Sequence, residues 1–259
     1  MKATWILTLP VVTAALIVTI VTTGTVRAQW GYDVIEFDEA ELFFEENTTD
    51  GDMGLHLKVD GEGWRKMFLV TPQGRRLLDI KVRGSLGQEI GLTELFSESA
   101  EPGYDEMPRE EFLELFEEGD YRFYGFTLEG DWLVAYPELT KNIPGAPEIL
   151  SPEEEAEVDP EEDLVIEWAP LDDPNPPESS IEFYEVVCEK DEDEERLRVF
   201  TVHMLPTDTN VRVPAEFLEA GKAYKVEIVA QETSGNRAAA EVEFETEGEE
   251  EEEEEEEEE

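Results

Sequence analysis

From residue 31 onwards, apolar and polar residues alternate over short segments that are separated by clusters of glycine, proline and acidic residues. The segment DLVIEWAP places Leu164, Ile166 and Trp168 on one face, and AYKVEIVAQ does the same with Tyr224 and Val226. A period of two residues is that of a half-buried β-strand, whereas an amphipathic helix repeats every three to four residues. The pattern therefore predicts an all-β fold made of antiparallel β-sandwiches.

A proline-rich connector, NIPGAPEILSP, divides these strand segments into two blocks. We expect two tandem immunoglobulin-like β-sandwiches, an N-terminal one over residues 31–143 and a second one over residues 146–247. The chain then ends in a poly-glutamate tail, residues 248–259. This tail is predicted to be disordered because it contains nothing that a core could bury.

Within the first block, the segments MGLHLKV and RKMFLVT predict two strands, and Pro72-Gln73-Gly74 predicts a hairpin turn after the second. The segment EIGLTELFSESAEPGYDE, residues 89–106, follows neither the strand period nor the helix period. We expect this segment to be an inserted loop, and loops are where binding sites most often lie.

Five residues of the second block stand in a recognisable order. Leu218, Gly221 and Tyr224 have the spacing Leu-x-x-Gly-x-x-Tyr, with Trp168 and Tyr184 on two earlier strand segments. In this combination, residues of about 145–247 resemble a fibronectin type III domain. The resemblance implies a core tryptophan, and a tyrosine corner in which the ring packs beneath the chain that crosses between the sheets. It also implies a binding, adhesion or scaffold module without catalytic activity.

A looser form of the corner occurs in the first block. The sequence EFLE appears twice in the chain, each time ahead of a glycine and a tyrosine. Gly119 and Tyr121 are one residue closer together than Gly221 and Tyr224. We predict that Tyr121 closes the first sandwich as a second tyrosine corner. The first block has no tryptophan that matches Trp168, and it is left without an assigned family.

Residues 1–28 have the features of a secretory signal peptide. Lys2 gives a positive start, an apolar run follows, and Val26-Arg27-Ala28 fits a small-residue cleavage pattern. An uncleaved N-terminal anchor is the alternative. We expect a bacterial protein that is secreted, periplasmic or on the cell surface, without a membrane span in the mature chain. The single cysteine, Cys188, allows no intramolecular disulfide.

The charge balance is extreme, with 68 acidic and 19 basic residues and a formal net charge of −49. Such a chain repels phosphate backbones, which argues against nucleic acid as a partner. The same repulsion keeps copies apart, so we expect a monomer. The expected partner is an extracellular protein or a polysaccharide, and the sequence leaves the choice open.

The segment EENTTDGDMGLH suggests a calcium site. Glu46, Asp50 and Asp52 offer hard oxygen ligands in a glycine-containing loop, although the spacing is not that of an EF-hand. A plain hairpin turn is the alternative. Zinc is not expected from two histidines and one cysteine. No catalytic residue is predicted, and no cofactor apart from calcium at this loop.

Three function hypotheses follow from these observations. The first is a non-enzymatic exported binding, adhesion or scaffold module of two β-sandwiches. The second is a calcium-binding surface or matrix protein. The third is a carbohydrate-binding accessory of an extracellular enzyme system, in which aromatics such as Trp64, Trp132 and Tyr136 stack on sugars unless they belong to the core.

Overall fold

The computed structural model of the chain describes residues 26–27, 32–171, 180–190 and 198–248. The predicted all-β fold is confirmed, because these residues form eighteen strands, one short α-helix and two single helical turns. None of the helices in this part of the chain is long and apolar enough to cross a membrane. Most of the predicted signal peptide and nearly all of the predicted glutamate tail lie outside the described residues.

The strands are numbered in chain order. The strand β1 (Val26–Arg27) lies within the predicted signal peptide and pairs with β2 (Asp33–Glu36). The strands of the first block are β2, β3 (Glu39–Asn47), β4 (Asp52–Val70), β5 (Arg76–Lys81), β6 (Leu92–Glu98), β7 (Gly119–Asp120), β8 (Arg122–Thr127), β9 (Trp132–Ala135) and β10 (Glu138–Leu139). Those of the second block are β11 (Ile149–Ser151), β12 (Ala156–Val158), β13 (Leu164–Trp168), β14 (Ile181–Lys190), β15 (Val199–Met204), β16 (Asn210–Val213), β17 (Ala223–Glu232) and β18 (Arg237–Thr246). The helical elements are a π-helical turn (Leu86–Ile90), α1 (Arg109–Glu114) and a 3-10 turn (Ala215–Phe217).

The long strand β4 organises the first block. Its N-terminal half pairs with β3 and β6, and its C-terminal half pairs with β5 and β8. Alternation along β4 sends Leu55 and Leu57 from the first half, and Met67 and Leu69 from the second, into one core. Phe112 from α1 lies in the same core. The sheet is therefore curled around a single apolar centre.

In the second block, two sheets face each other across a separate core. One sheet has the order β11–β13–β16, and the strands β15–β14–β17–β18 form the opposite layer. Ile166 and Trp168 from β13 meet Tyr184 and Val186 from β14 in this core. The β-sandwich predicted for this half of the chain is confirmed.

The two blocks are joined by strand pairing as well as by the connector, because β18 pairs in parallel with β3. Asn236, just before β18, is 1% exposed and bonds to the first block on two sides. Its Oδ1 accepts a hydrogen bond from the backbone amide of Phe44 at 2.9 Å. Its Nδ2 donates to the carbonyls of Thr140 and Asn142, each at 3.1 Å. One hydrogen-bonded sheet thus runs from the first core to the second.

Candidate functional site

The predicted corner of the second block has the following geometry. The hydroxyl of Tyr224 accepts a hydrogen bond from the backbone amide of Glu219 at 2.8 Å, and the ring is fully buried. Leu218 is buried in the same core, and Gly221 lies in the turn before β17. These contacts hold the chain where it passes from one sheet to the other.

The other structural residues singled out from the sequence are also buried. The rings of Trp168 and Tyr184 meet edge to face, with centroids 5.5 Å apart. Tyr121 is 1% exposed, and burial raises the pKa of its phenol, while the nearby backbone of Glu117 lowers it. Glu117 lies four positions before Tyr121, whereas Glu219 lies five before Tyr224.

Glu46, one of the three residues of the predicted calcium loop, is engaged elsewhere. Its carboxylate receives two hydrogen bonds from the guanidinium of Arg109, at 2.8 and 2.9 Å, and another from the hydroxyl of Tyr104. The side chain is buried on the core side of β3. Both of its oxygens already have partners, so this carboxylate is not free for a cation.

Asp50 and Asp52 lie apart from Glu46. Asp50 is exposed in the turn and accepts a hydrogen bond from the side chain of Asn47 at 3.3 Å. Asp52 points to the outer side of the sheet, where partial burial and the nearby Glu101 raise its pKa to about 6. Within the described residues, the three do not form a group whose ligand atoms lie within reach of one ion. The geometry therefore gives the predicted calcium site no support.

A different group converges on the outer side of β3, β4 and β6. The ligand atoms of His56, Glu98 and Glu101 all lie within 4.8 Å of one another, and we call these three residues the histidine cluster. His56 is opposite Phe43 on β3 and opposite Glu98 on β6. Its ring stacks on Phe43 at 5.1 Å, and its Nε2 lies 3.7 Å from Glu101 Oε1.

The electrostatics of the histidine cluster are those of two crowded carboxylates. Burial and the neighbouring carboxylate of Glu101 raise the pKa of Glu98 to about 7. The imidazole of His56, whose Nε2 lies 3.7 Å from Glu101 Oε1, lowers the pKa of Glu101. The two acids therefore differ in charge near neutral pH, and a cation between them would relieve their repulsion.

The outer side of β5, β4, β8 and β9 carries a second candidate surface, which we call the basic aromatic face. Strand pairing places its residues in two neighbouring rows: Lys81, Lys66, Phe126 and Trp132, followed by Asp79, Phe68, Tyr124 and Val134. The rings of Phe126 and Trp132 lie 4.3 Å apart, and Trp132 is 38% exposed. Lys66 and Arg76 both lie over the ring of Phe68, at 4.4 and 3.9 Å from its centroid.

A pocket of about 580 Å³ opens at one end of this face, beside the π-helical turn. Four cations line it: Arg65, Lys66, Lys81 and Arg83. No acidic residue is among the described residues that line it. Arg65, Lys81 and Arg83 form no ion pair with any carboxylate of the described chain. In a protein with a net charge of −49, this is a local concentration of unpaired positive charge.

Neither the basic aromatic face nor the histidine cluster was predicted from the sequence, although the composition around the face is unusual. Six basic residues and a single acid lie between Arg65 and Arg83, against the acidic balance of the rest of the chain. The histidine cluster left no such signal, since Glu98 and Glu101 lie in the segment that was expected to be an inserted loop. Part of that segment is the strand β6. Trp64, considered for sugar stacking, is fully buried, whereas Trp132 and Tyr136 are exposed.

No protein-family model and no curated protein matches the chain. Among solved structures, the FN1–FN3 domains of chicken CNTN1 are similar at 9% identity and a TM-score of 0.32, over 82% of this chain and 64% of that one, which is less than two thirds of its length. The fibronectin(III)-like modules of Clostridium thermocellum CbhA are similar at 9% identity and a TM-score of 0.30, over 81% and 93% of the chains. Two fibronectin type III domains of chicken tenascin are similar at 12% identity and a TM-score of 0.28, over 80% and 98%.

These TM-scores are too low to add an argument of their own. The fibronectin type III-like fold predicted for the second block is confirmed by its two-layer strand order and by the bond between Tyr224 and Glu219.

Proposed function

We propose that this chain is an exported, non-enzymatic binding module whose basic aromatic face binds a short acidic oligosaccharide. The observation that carries the proposal is this face itself. The exposed ring of Trp132 packs on Phe126. Phe126 lines the pocket together with Arg65, Lys81 and Arg83, which have no carboxylate partner among the described residues, in a chain that is otherwise strongly acidic.

The two chemistries of the face suit two parts of such a ligand. The C–H side of a sugar ring packs on an aromatic ring, and Trp132 on this face is 38% exposed. A carboxylate or sulfate group on the sugar pairs with Lys81 or Arg83 in the pocket, as a charge-assisted hydrogen bond. The pocket volume of about 580 Å³ is within the range of small-ligand sites.

The charge of the whole chain limits the length of the ligand. Ionic screening weakens repulsion beyond about 8 Å at physiological salt, so a short ligand in the pocket feels mainly the local cations. A long polyanion would extend over the acidic surface around the face. The proposal is therefore compatible with the exclusion of nucleic acid.

Binding without chemistry is supported by the side chains of the face. The two central rows contain one carboxylate, Asp79, and it is held by Arg76 at 2.8 Å. General acid–base cleavage of a glycosidic bond uses a pair of carboxyl groups on either side of that bond. The two central rows of the face contain cations and aromatic rings in place of such a pair of carboxyl groups.

The proposal includes export and the division into domains. Residues 1–28 direct the chain out of the cytoplasm and are removed, residues 31–143 form the domain that carries the basic aromatic face, and residues 146–247 form the fibronectin type III-like domain. N-terminal sequencing of protein recovered from the producing bacterium tests the first point. A mature chain that still begins at Met1 would argue for the uncleaved anchor.

Calorimetric titration with uronic-acid oligosaccharides tests the binding function, with neutral oligosaccharides of equal length in parallel. Trp132→Ala should weaken binding about tenfold or more, which corresponds to about 1.4 kcal/mol. Lys81→Gln should weaken binding of the acidic ligands alone, and more so at low salt. Lys58→Gln, which removes a lysine outside the face that is paired with Glu39, serves as the matched control.

Two results would overturn the proposal. In the first, neither class of oligosaccharide binds to the full chain. In the second, binding occurs and Trp132→Ala and Lys81→Gln both behave like the Lys58→Gln control. Equal affinity for neutral and acidic ligands would reject the acidic substrate class.

A further inference from the structure

We propose that the histidine cluster is a binding site for one divalent first-row transition-metal ion, for which Zn²⁺ is the suitable probe. The site lies on the outer side of β3, β4 and β6, away from the basic aromatic face. It does not depend on the proposed oligosaccharide binding, so each can fail without the other.

The distances suit a metal better than a hydrogen bond. A tetrahedral Zn²⁺ with bonds of about 2.0–2.2 Å separates its ligand atoms by roughly 3.4 Å. The Nε2 of His56 lies 3.7 Å from Glu101 Oε1, and the third ligand atom, from Glu98, is within 4.8 Å of both. Small rotations of the two exposed carboxylates would bring three ligands onto one ion and leave a fourth position for water.

The imidazole of His56 points independently to a ligand. The residue is 4% exposed, and neither of its ring nitrogens has a hydrogen-bond partner. Buried polar nitrogens almost always have a partner, so an orphaned imidazole calls for an explanation. Phe43 stacks on the ring at 5.1 Å and Phe96 lies at 5.8 Å, which fixes its orientation toward the two acids.

Gly54 keeps the space between the ligands open. It lies on the same side of β4 as His56, two residues earlier. A Cβ at this position would lie 2.8 Å from Glu101 Oε1 and 3.1 Å from His56 Nε2. Any other residue would therefore displace the carboxylate from the imidazole. The absence of a side chain here is what allows Glu101 to reach across the strand.

The donor set selects the class of metal. Calcium takes six to eight oxygens, whereas one imidazole nitrogen with two carboxylates suits zinc and its neighbours. The expectation that this chain binds no zinc considered histidine and cysteine ligands alone. Carboxylates replace them here, because strand pairing brings Glu98 beside His56.

The test is a Zn²⁺ titration of the full chain in the presence of excess Ca²⁺, which occupies the many exposed acids. We expect one tight site per chain. His56→Gln and Glu98→Gln should each weaken it about 100-fold or more, since even an outer-shell partner of a metal ligand is typically worth 10–100-fold. Gly54→Ala should weaken it as well. Glu98 is exposed, so its variant is expected to fold even if the His56 variant does not.

His203 provides a matched control. It stacks on Phe183 at 4.7 Å and lies 3.6 Å from Glu185, much as His56 stacks on Phe43 and lies 3.7 Å from Glu101. Unlike His56, it belongs to no group of three ligand residues in the described part of the chain. His203→Gln should leave the tight site unchanged. The chain has two histidines, so its imidazole NMR signals are easily assigned. Zn²⁺ should shift the ring nitrogens of His56 and leave those of His203 in place.

The proposal fails if no tight site survives excess Ca²⁺, or if the tight site persists in Glu98→Gln. It also fails if Zn²⁺ shifts both histidines alike.

Discussion

The hydroxyl of Tyr224 accepts the backbone amide of Glu219, and this single bond fixes where the chain crosses between the sheets. Tyr224→Phe keeps the ring in the core and leaves that amide without its partner. We expect the free energy of unfolding to fall by about 0.5–1.5 kcal/mol. Equilibrium unfolding in urea measures the loss. Tyr136→Phe, at a side chain that is 60% exposed, is the control. Equal stability of the two variants would show that the hydroxyl of Tyr224 does not stabilise the fold.

Glu227 on β17 should make the stability of the folded chain depend on pH. It is surrounded by Glu241 of β18, Glu45 of β3 and Glu189 of β14, with Lys225 on its own strand. Burial, and then repulsion from these acids, raises its pKa from 4.5 to about 8, although Lys225 lowers it. Between these two pH values the native state binds more protons than the unfolded chain. Stability therefore falls as the pH rises from 4.5 through about 8.

Glu227→Gln removes this titration. The variant should be more stable than the original chain at the alkaline end of the window and should lose part of the decline between the two ends. Urea unfolding at both pH values measures the difference. Glu243→Gln, at an exposed acid on β18, should keep the original dependence. If both variants keep it, the burial of Glu227 is not the cause.

At the scale of elements, local alternation predicts strands well and their continuity poorly. The segments MGLHLKV and RKMFLVT were expected to be two strands, and Gly61-Glu62-Gly63 lies between them. In the structure β4 runs through both, and the break appears as register shifts toward β6 and β8 on either side of Trp64. The glycines allow neighbouring segments of the chain to approach closely, since a Cβ on Gly61 would lie 3.2 Å from the Phe37 ring.

The strand β6 escaped prediction for a related reason. Leu92–Glu98 pairs with β4 alone, and its side chains are exposed or half-buried along its length. An edge strand of this kind has no fully apolar face to give a clear period. The histidine cluster needs the register between β4 and β6, which no local pattern contains. The tyrosine corner at Tyr224 could be predicted, because its spacing lies within one short motif.

Gly91 joins the π-helical turn to β6 at a point where two backbone segments of the chain lie close together. Gly91 and Gly74 both have a φ of +83°, but a Cβ on Gly91 would lie 2.9 Å from the carbonyl carbon of Gly63, whereas nothing lies within 4 Å of one on Gly74. Gly74→Ala should therefore cost about 1 kcal/mol, from the left-handed backbone alone. Gly91→Ala should cost about 2–4 kcal/mol, because a φ of 83° with a ψ of 169° is a conformation that essentially only glycine adopts and overlap is added to that strain. Thermal and urea unfolding compare the two, and equal losses would show that the close approach relaxes freely.

At the scale of the whole molecule, the two cores follow from the alternation within each block, whereas their union does not. Arg237–Ala239 has the composition of any strand, and its parallel pairing with Glu45–Asn47 carries no signature in either segment. Distant pairing of this kind depends on the shape of both folded blocks. The connector suggested tandem domains in sequence, while the structure gives them a common sheet and a buried asparagine between them.

The buried Asn236 should determine both the stability of the molecule and whether its two blocks unfold together. Asn236→Ala would leave the amide of Phe44 and the carbonyls of Thr140 and Asn142 without this partner, in a place where the side chain is 1% exposed. We expect a loss of about 2–4 kcal/mol in the free energy of unfolding, since each buried group left unsatisfied costs about 1–3 kcal/mol and some will be reached by water.

Because the bonds couple the two blocks, calorimetry should also show a single transition in the original chain that separates into two in the variant. Asn210→Ala, at an exposed asparagine of β16, should change neither quantity. If the original chain already melts in two separate steps, the shared sheet does not couple the cores, and the buried asparagine stabilises only its own turn.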